Sequence, residues 1–143
     1  MPGAVRAVFD TNIFLRALIN PHSRCGRLVS RAGHRYVLVL SPDIIKEILE
    51  VLRRPAILQA FPGVAAIGAD KMLGLFARAE VVQPATVTRT SRDPEDDMFL
   101  ACAVAGRCHY VVSEDKDLTS LGQHRGVRIV TSEEFAAIIE AAE

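Results

Sequence analysis

The sequence is poor in features that would announce a membrane, an export route or a disulfide framework. No uninterrupted apolar stretch, YVLVL at 36–40 included, approaches the roughly 20 residues that a spanning helix needs, so a soluble chain with no membrane partner is expected. The start lacks the basic segment and apolar stretch of a secretory signal, which points to a cytoplasmic protein. Three cysteines, Cys25, Cys102 and Cys108, cannot all pair, and none stands in a CxxC. They read as reduced thiols, and zinc is disfavoured even with His109 beside Cys108. There is no internal repeat, low-complexity tract or interdomain linker, and only 6% of the residues are aromatic. With 143 residues, 1–143 is expected to be one domain able to bury a core without staples.

A net charge of zero gives no sign of a polyanion partner, but the charges are unevenly spread. Between Asp10 and Asp43 there is no acid at all, while Arg16, Arg24, Arg27, Arg31 and Arg35 fall in that interval. Guanidinium groups make bidentate contacts to phosphate, which nominates Arg16, Arg24 and Arg27 for substrate binding. The same arginines are equally well explained as the solvated faces of two helices.

Residues 5–9 read as a first strand, 35–40 as a second, buried on both faces, 80–83 as a short third, 109–113 as a fourth and 127–130 as a fifth. Helices are expected at about 12–18, 23–32 (closed by Gly33) and 42–54, where Ser41 caps and Pro42 takes the first helical position. One or two more fill 56–79, interrupted near Pro62-Gly63. A Thr-rich loop at 84–92 precedes another cap-plus-proline start at Asp93-Pro94, and Gly106 closes the helix that follows. Thr131 and Glu134 have capping-box spacing for a last helix. Alternating strands and helices predict a parallel α/β sheet covered by helices on both sides, whose ligands bind beyond the carboxyl ends of the strands.

That rule selects among the acids. Asp10, in AVFDTNIF, directly follows the first strand, where an ionised carboxylate at the edge of a core is costly unless its charge is offset. On the helix of 42–54, Glu47 lies just outside the Val51 edge of the apolar arc, whereas Asp43 and Glu50 lie farther toward water. In RDPEDDMFLACAVAG, Asp93 is explained as a cap, and Glu95 and Asp96 by the favourable field of the first turn. Asp97 shares a face with Leu100, Ala101 and Val104 on a helix that is apolar all round, as if packed on both sides, and is drawn inward. SEDKDL offers Asp115, expected to point the same way as Ser113, and Asp117, which is also suited to capping the short turn that follows. Asp10, Glu47, Asp97 and Asp115, with Asp117 as a further candidate, would converge at one end of the sheet. Carboxylates so gathered cannot all stay ionised without a cation, and hard oxygen ligands without Cys or His favour Mg²⁺ or Mn²⁺. The chemistry that follows is metal-assisted phosphodiester hydrolysis.

Four motifs in order, FDTNIF (9–14), SPDIIKEILEVL (41–52), RDPEDDMFLACA (92–103) and VVSEDKDL (111–118), make the chain resemble PIN-domain proteins, and more narrowly the VapC-like toxins of toxin–antitoxin pairs. The resemblance implies a PIN-like α/β fold with a five-stranded parallel sheet in the order 3-2-1-4-5. It also implies Mg²⁺- or Mn²⁺-dependent cleavage of RNA, a homodimer and a cognate antitoxin. It carries the acidic site onto Asp10, Glu47, Asp97 and Asp115, with Asn12 and Ser113 supporting by hydrogen bonds. Asp115 and Asp117 both remain open as the fourth acid. Ser113-Glu114 stands where the family often has Thr-Gly, and Glu114 is expected to face solvent. A receiver-type signalling domain would need an acidic pair at the first strand and a Lys after the last, and a DxDxT phosphatase an Asp where this chain has Asn12. A DNA flap nuclease would need helical insertions. A non-catalytic PIN-like interaction domain stays as the alternative.

Overall fold

A computed structural model describes residues 4–84 and 97–142. In chain order the elements are β1 (Arg6–Phe9), α1 (Thr11–Ile19), α2 (Arg24–Ser30), β2 (Val37–Leu40), α3 (Pro42–Leu52), α4 (Pro55–Ala60), α5 (Pro62–Arg78) and β3 (Glu80–Val81), then α6 (Asp97–Ala105), β4 (Tyr110–Val112), α7 (Lys116–Thr119), β5 (Gln123–His124), β6 (Val127–Val130) and α8 (Ser132–Ala141). The expected start at Asp93-Pro94, Glu95 and Asp96 lie outside the described residues, as does most of the Thr-rich loop.

The sheet order is β3-β2-β1-β4-β6-β5, and every pairing except β5 with β6 is parallel. The five parallel strands therefore have the expected 3-2-1-4-5 order, but the sheet has six strands rather than five. The extra strand exists because Arg125 (φ 49°) and Gly126 (φ 83°) turn the chain back in two residues. Two successive positive φ values match the right-handed twist of a hairpin, and this one pairs Gln123 with Arg128 and His124 with Val127.

Side chains of β1 explain why the sheet is buried on both faces. Ala7, Val8 and Phe9 are all fully buried, and a strand points successive residues to opposite sides. On one side Phe9 packs against Phe14 of α1, Tyr36 and Phe135 of α8, with ring centroids 5.6–5.8 Å apart. On the other side, in register with Val8, lies Val39 of β2, against which α6 closes so tightly that a Cβ on Gly106 would meet Val39 Cγ1 at 2.7 Å. Helix α6 ends at Ala105, immediately before Gly106 as expected, and Gly106 is a close-approach residue as well. The left-handed residue that ends α6 is Arg107 (φ 52°), followed by a bond from Cys108 N–H to the Ala103 carbonyl at 2.8 Å.

Caps set where the helices begin. Ser41 accepts from Ile44 N–H and Pro42 sits in the first turn of α3. Thr131 and Glu134 form the reciprocal capping box of α8. One expectation about α6 needs correction: Phe99, Leu100, Cys102 and Ala103 are buried, but Val104 is 37% exposed, so this helix is covered on one side and leaves an apolar strip at the surface. No helix among the described residues is long and apolar enough to cross a membrane. All three cysteines are free and buried, and burial pushes the Cys102 and Cys108 thiols up to about 12.

Candidate functional site

The site grows from the junction between β1 and α1. Asp10 is the N-cap of α1, and its carboxylate accepts from Ile13 N–H at 3.2 Å. The residue that ends the strand therefore also starts the helix, which pins the carboxylate at the carboxyl end of the sheet. It is 5% exposed. Ser113, fully buried just past β4, donates its hydroxyl to the other oxygen of Asp10. Burial raises the Asp10 pKa; the Ser113 hydroxyl and the backbone N–H groups of Ile13 and Asn12 work against that rise, and the nearby charge of Asp115 adds to it. No cation among the described residues is paired with Asp10.

Ser113 ties two acids together. Its Oγ also accepts from Asp115 N–H at 2.9 Å, and Asp115 in turn caps α7 by accepting from Asp117 N–H at 2.9 Å. The cap of the short turn is thus Asp115 and not Asp117, whose place is in the first turn behind it. Glu47 is half-buried while Asp43 and Glu50 are exposed, as the helical wheel requires. Its carboxylate receives the hydroxyl of Thr11, the residue next to Asp10. Asp97 is 2% exposed and opens α6, which packs over β1, β2 and β4.

Asn12 is placed differently from the expectation. It is exposed, and what reaches Asp10 is its backbone N–H. The supporting side chain on this turn is Thr11, which the sequence reading passed over. Its signal was there: Thr11 lies on the stripe of Phe14 and Leu18, a polar residue on the core face of α1. Glu114 also departs from expectation. Instead of facing solvent it is half-buried, and its Oε1 accepts from Ser132 N–H at 2.9 Å and from the Ser132 hydroxyl. Eighteen residues separate the two, so no local pattern reveals the contact.

The three nominated arginines are all exposed but divide between two clefts. Arg16 and Arg24 line one of about 480 Å³ together with Asn20, Cys25, Glu114 and Ser132. Arg27 lines a neighbouring one of about 220 Å³ with Arg24 and Arg31, facing Glu133 and Glu140, and donates to the His22 carbonyl at 3.0 Å.

The donor chemistry suits a hard divalent ion: the acids offer oxygen only, and Asp10 is a buried carboxyl with no cationic side chain paired to it among the described residues. The assembly is incomplete, however. Among the described residues no group of three or more Asp, Glu, His or Cys is set closely enough to hold a metal ion. Asp10 with Asp115, and Glu47 through Thr11, are brought near one another; a ligand-distance cage is not formed by the side chains alone.

An α/β chain with acids at the carboxyl ends of its central strands, in this strand order, defines a recognisable class. Residues 6–117 match the PIN domain family, and the chain belongs to it. It is 31% identical over 119 residues to the uncharacterized protein MJ1680 of Methanocaldococcus jannaschii, covering 82% of this chain and 75% of that one. The fold is similar to that of PAE2754 from Pyrobaculum aerophilum, with a TM-score of 0.67 at 15% identity, covering 99% of this chain and 94% of the other. It is also similar to a chain of DNA-bound VapBC from Salmonella typhimurium (TM-score 0.59, 17% identity, 90% and 98% covered) and to one of VapBC2 from Rickettsia felis bound to a promoter DNA fragment (0.60, 9%, 89% and 98%).

Proposed function

We propose that this protein is a Mg²⁺- or Mn²⁺-dependent endoribonuclease acting as the toxin of a toxin–antitoxin pair. The observation that carries the reading is Asp10: a carboxylate almost fully buried, without a cation among the described residues, and fixed by Ser113 beside a second acid, Asp115. A protein core does not keep such a group cheaply. A divalent ion would be held by Asp10, Glu47, Asp97 and Asp115, with Asp117 as an alternative to Asp115. When bound it supplies a Lewis acid that activates water and stabilises charge on the displaced phosphodiester oxygen.

The chain's own groups do the rest. Ser113 and the first backbone N–H groups of α1 orient Asp10, Thr11 orients Glu47, and the α7 cap fixes Asp115. Arg16 and Arg24, on the acid-free stretch, line a cleft beside Glu114 and are placed to contact the RNA substrate. The likeness to chains of two VapBC complexes supports a cognate antitoxin; the homodimer belongs to the same reading and follows from the family resemblance of the sequence. One observation favours the other reading, a non-catalytic interaction domain: no three acids stand ready at ligand distance.

Two variants separate the readings. Asp10→Asn and Asp97→Asn are expected to abolish Mn²⁺-dependent cleavage of single-stranded RNA while circular dichroism remains that of the parent. Cleavage at the parent's rate in both variants would assign the activity to something other than these acids.

A further inference from the structure

The larger arginine cleft has a composition that phosphate binding does not account for. Arg16 and Arg24 bring positive charge to it, but Glu114 faces the same space, and a carboxylate repels phosphate. Neither arginine forms an ion pair with Glu114 among the described residues, so charges of opposite sign line one cleft without meeting across it. Glu114 is also held in place. Both Ser132 donors bind Oε1 and leave Oε2 without a described partner, and Ser132 itself is 2% exposed. The walls include Cys25, whose thiol is kept neutral by burial and which feels the charges of Arg16, Glu114 and Asp10 together. The cleft adjoins the acidic site because Glu114 stands between Ser113, which donates to Asp10, and Asp115, and its volume of about 480 Å³ lies within the range of about 300–1,000 Å³ usual for small-ligand pockets.

We propose that this cleft, bounded by Glu114, Arg16 and Arg24, is a guanine-binding pocket that chooses which nucleotide of a single-stranded RNA lies beside the acidic site. Guanine presents two adjacent donors, N1–H and N2–H₂, on one edge and the acceptors O6 and N7 on the next. The open Oε2 of Glu114 takes the first pair, N1–H and N2–H₂ converging on that one oxygen while Ser132 holds Oε1; a guanidinium takes the second or stacks on the ring. Uracil would bring two carbonyl oxygens toward Glu114 with one N–H between them. Adenine offers a single donor group, and cytosine places its amino group beside an acceptor nitrogen. Guanine alone sets two adjacent donors on one edge against two adjacent acceptors on the next. The selection of a cleavage position rests on the nuclease reading above; the binding of guanine does not.

The test uses short RNAs that differ in one nucleotide, G, A, C, U or inosine, cut by the intact protein in Mn²⁺. The G substrate is expected to be cut about ten-fold or more faster than A, C or U, with inosine, which lacks the 2-amino group, between them. Glu114→Gln replaces an acceptor by a donor and should bring the G-to-A ratio toward one. Arg24→Gln, at an exposed position where folding is not at risk, should lower the same ratio. Equal cutting of all four bases by the parent protein, or an unchanged ratio in both variants, would overturn the pocket. Absence of any cleavage would sink the nuclease reading instead, and NMR titration with 5′-GMP and 5′-AMP would then decide the pocket separately. Shifts of the Cys25 and Ser132 amides with GMP and not AMP would support it; equal shifts, or none, would refute it.

Discussion

Asp10 is where the physics of this molecule is most concentrated. One residue closes a strand, caps a helix and keeps a buried carboxyl, and its pKa is raised chiefly because burial disfavours the charged form. A group whose folded pKa lies above its unfolded value lends stability while it is protonated, and that contribution is lost as pH rises through the raised value. At neutral pH without metal the charge is therefore a cost. Asn retains the capping oxygen without the charge, so Asp10→Asn should melt higher than the parent protein at pH 7 in chelator, and the gap should close in acid. Added Mn²⁺ should raise the melting temperature of the parent and leave the variant unmoved. A variant that melts lower at pH 7 in chelator would show that the carboxylate is already compensated. At this scale the acids were legible in the sequence, because a carboxylate at a strand end or on the edge of an apolar arc breaks a local pattern. Thr11 was passed over and Glu114 assigned to solvent, since a hydroxyl on a core stripe is common and a contact spanning eighteen residues leaves no periodic trace.

Helices and strands followed the sequence where local signals agreed with burial. Ser41-Pro42 and the Thr131–Glu134 box start α3 and α8 as their capping chemistry requires. Thr131→Ala removes one half of that box and should cost about 1 kcal/mol, lowering the melting temperature by a few degrees, as thermal unfolding followed by circular dichroism would show. An unchanged melting temperature would mean that α8 is held by packing of Phe135 and Ile139 alone. The hairpin β5–β6 escaped notice because its turn is Arg125-Gly126 rather than the Asn-Gly or Asp-Gly that usually marks two positive φ values. The stop of α6 at Gly106 was legible, but not which residue turns left-handed. A glycine at a helix end suggests the left-handed residue, yet Gly106 is needed for its closeness to Val39, and Arg107 carries the positive φ.

The sheet as a whole gathers acids that are distant in sequence. Parallel order β3-β2-β1-β4-β6 puts the carboxyl ends of β1 and β4 side by side, so Asp10 and Ser113 meet across 103 residues. α3 brings Glu47 to the hydroxyl of Thr11, and α6, which opens with Asp97, packs over β1, β2 and β4. Strand order was legible from the motif order and its family resemblance; the placing of the carboxylates was not, because long-range hydrogen bonds such as those of Thr11 to Glu47 and Ser113 to Asp10 decide it. Among the described residues no three acids stand at ligand distance. The central claim, that these acids act through a divalent ion on RNA, is tested most directly by titrating Mg²⁺ and Mn²⁺ into the protein with a mixed pool of RNA and DNA and sequencing the products. Cleavage of RNA that rises with the ion and stops in chelator is the expected result; full activity in excess chelator, or no cleavage of RNA at any ion concentration, would contradict it.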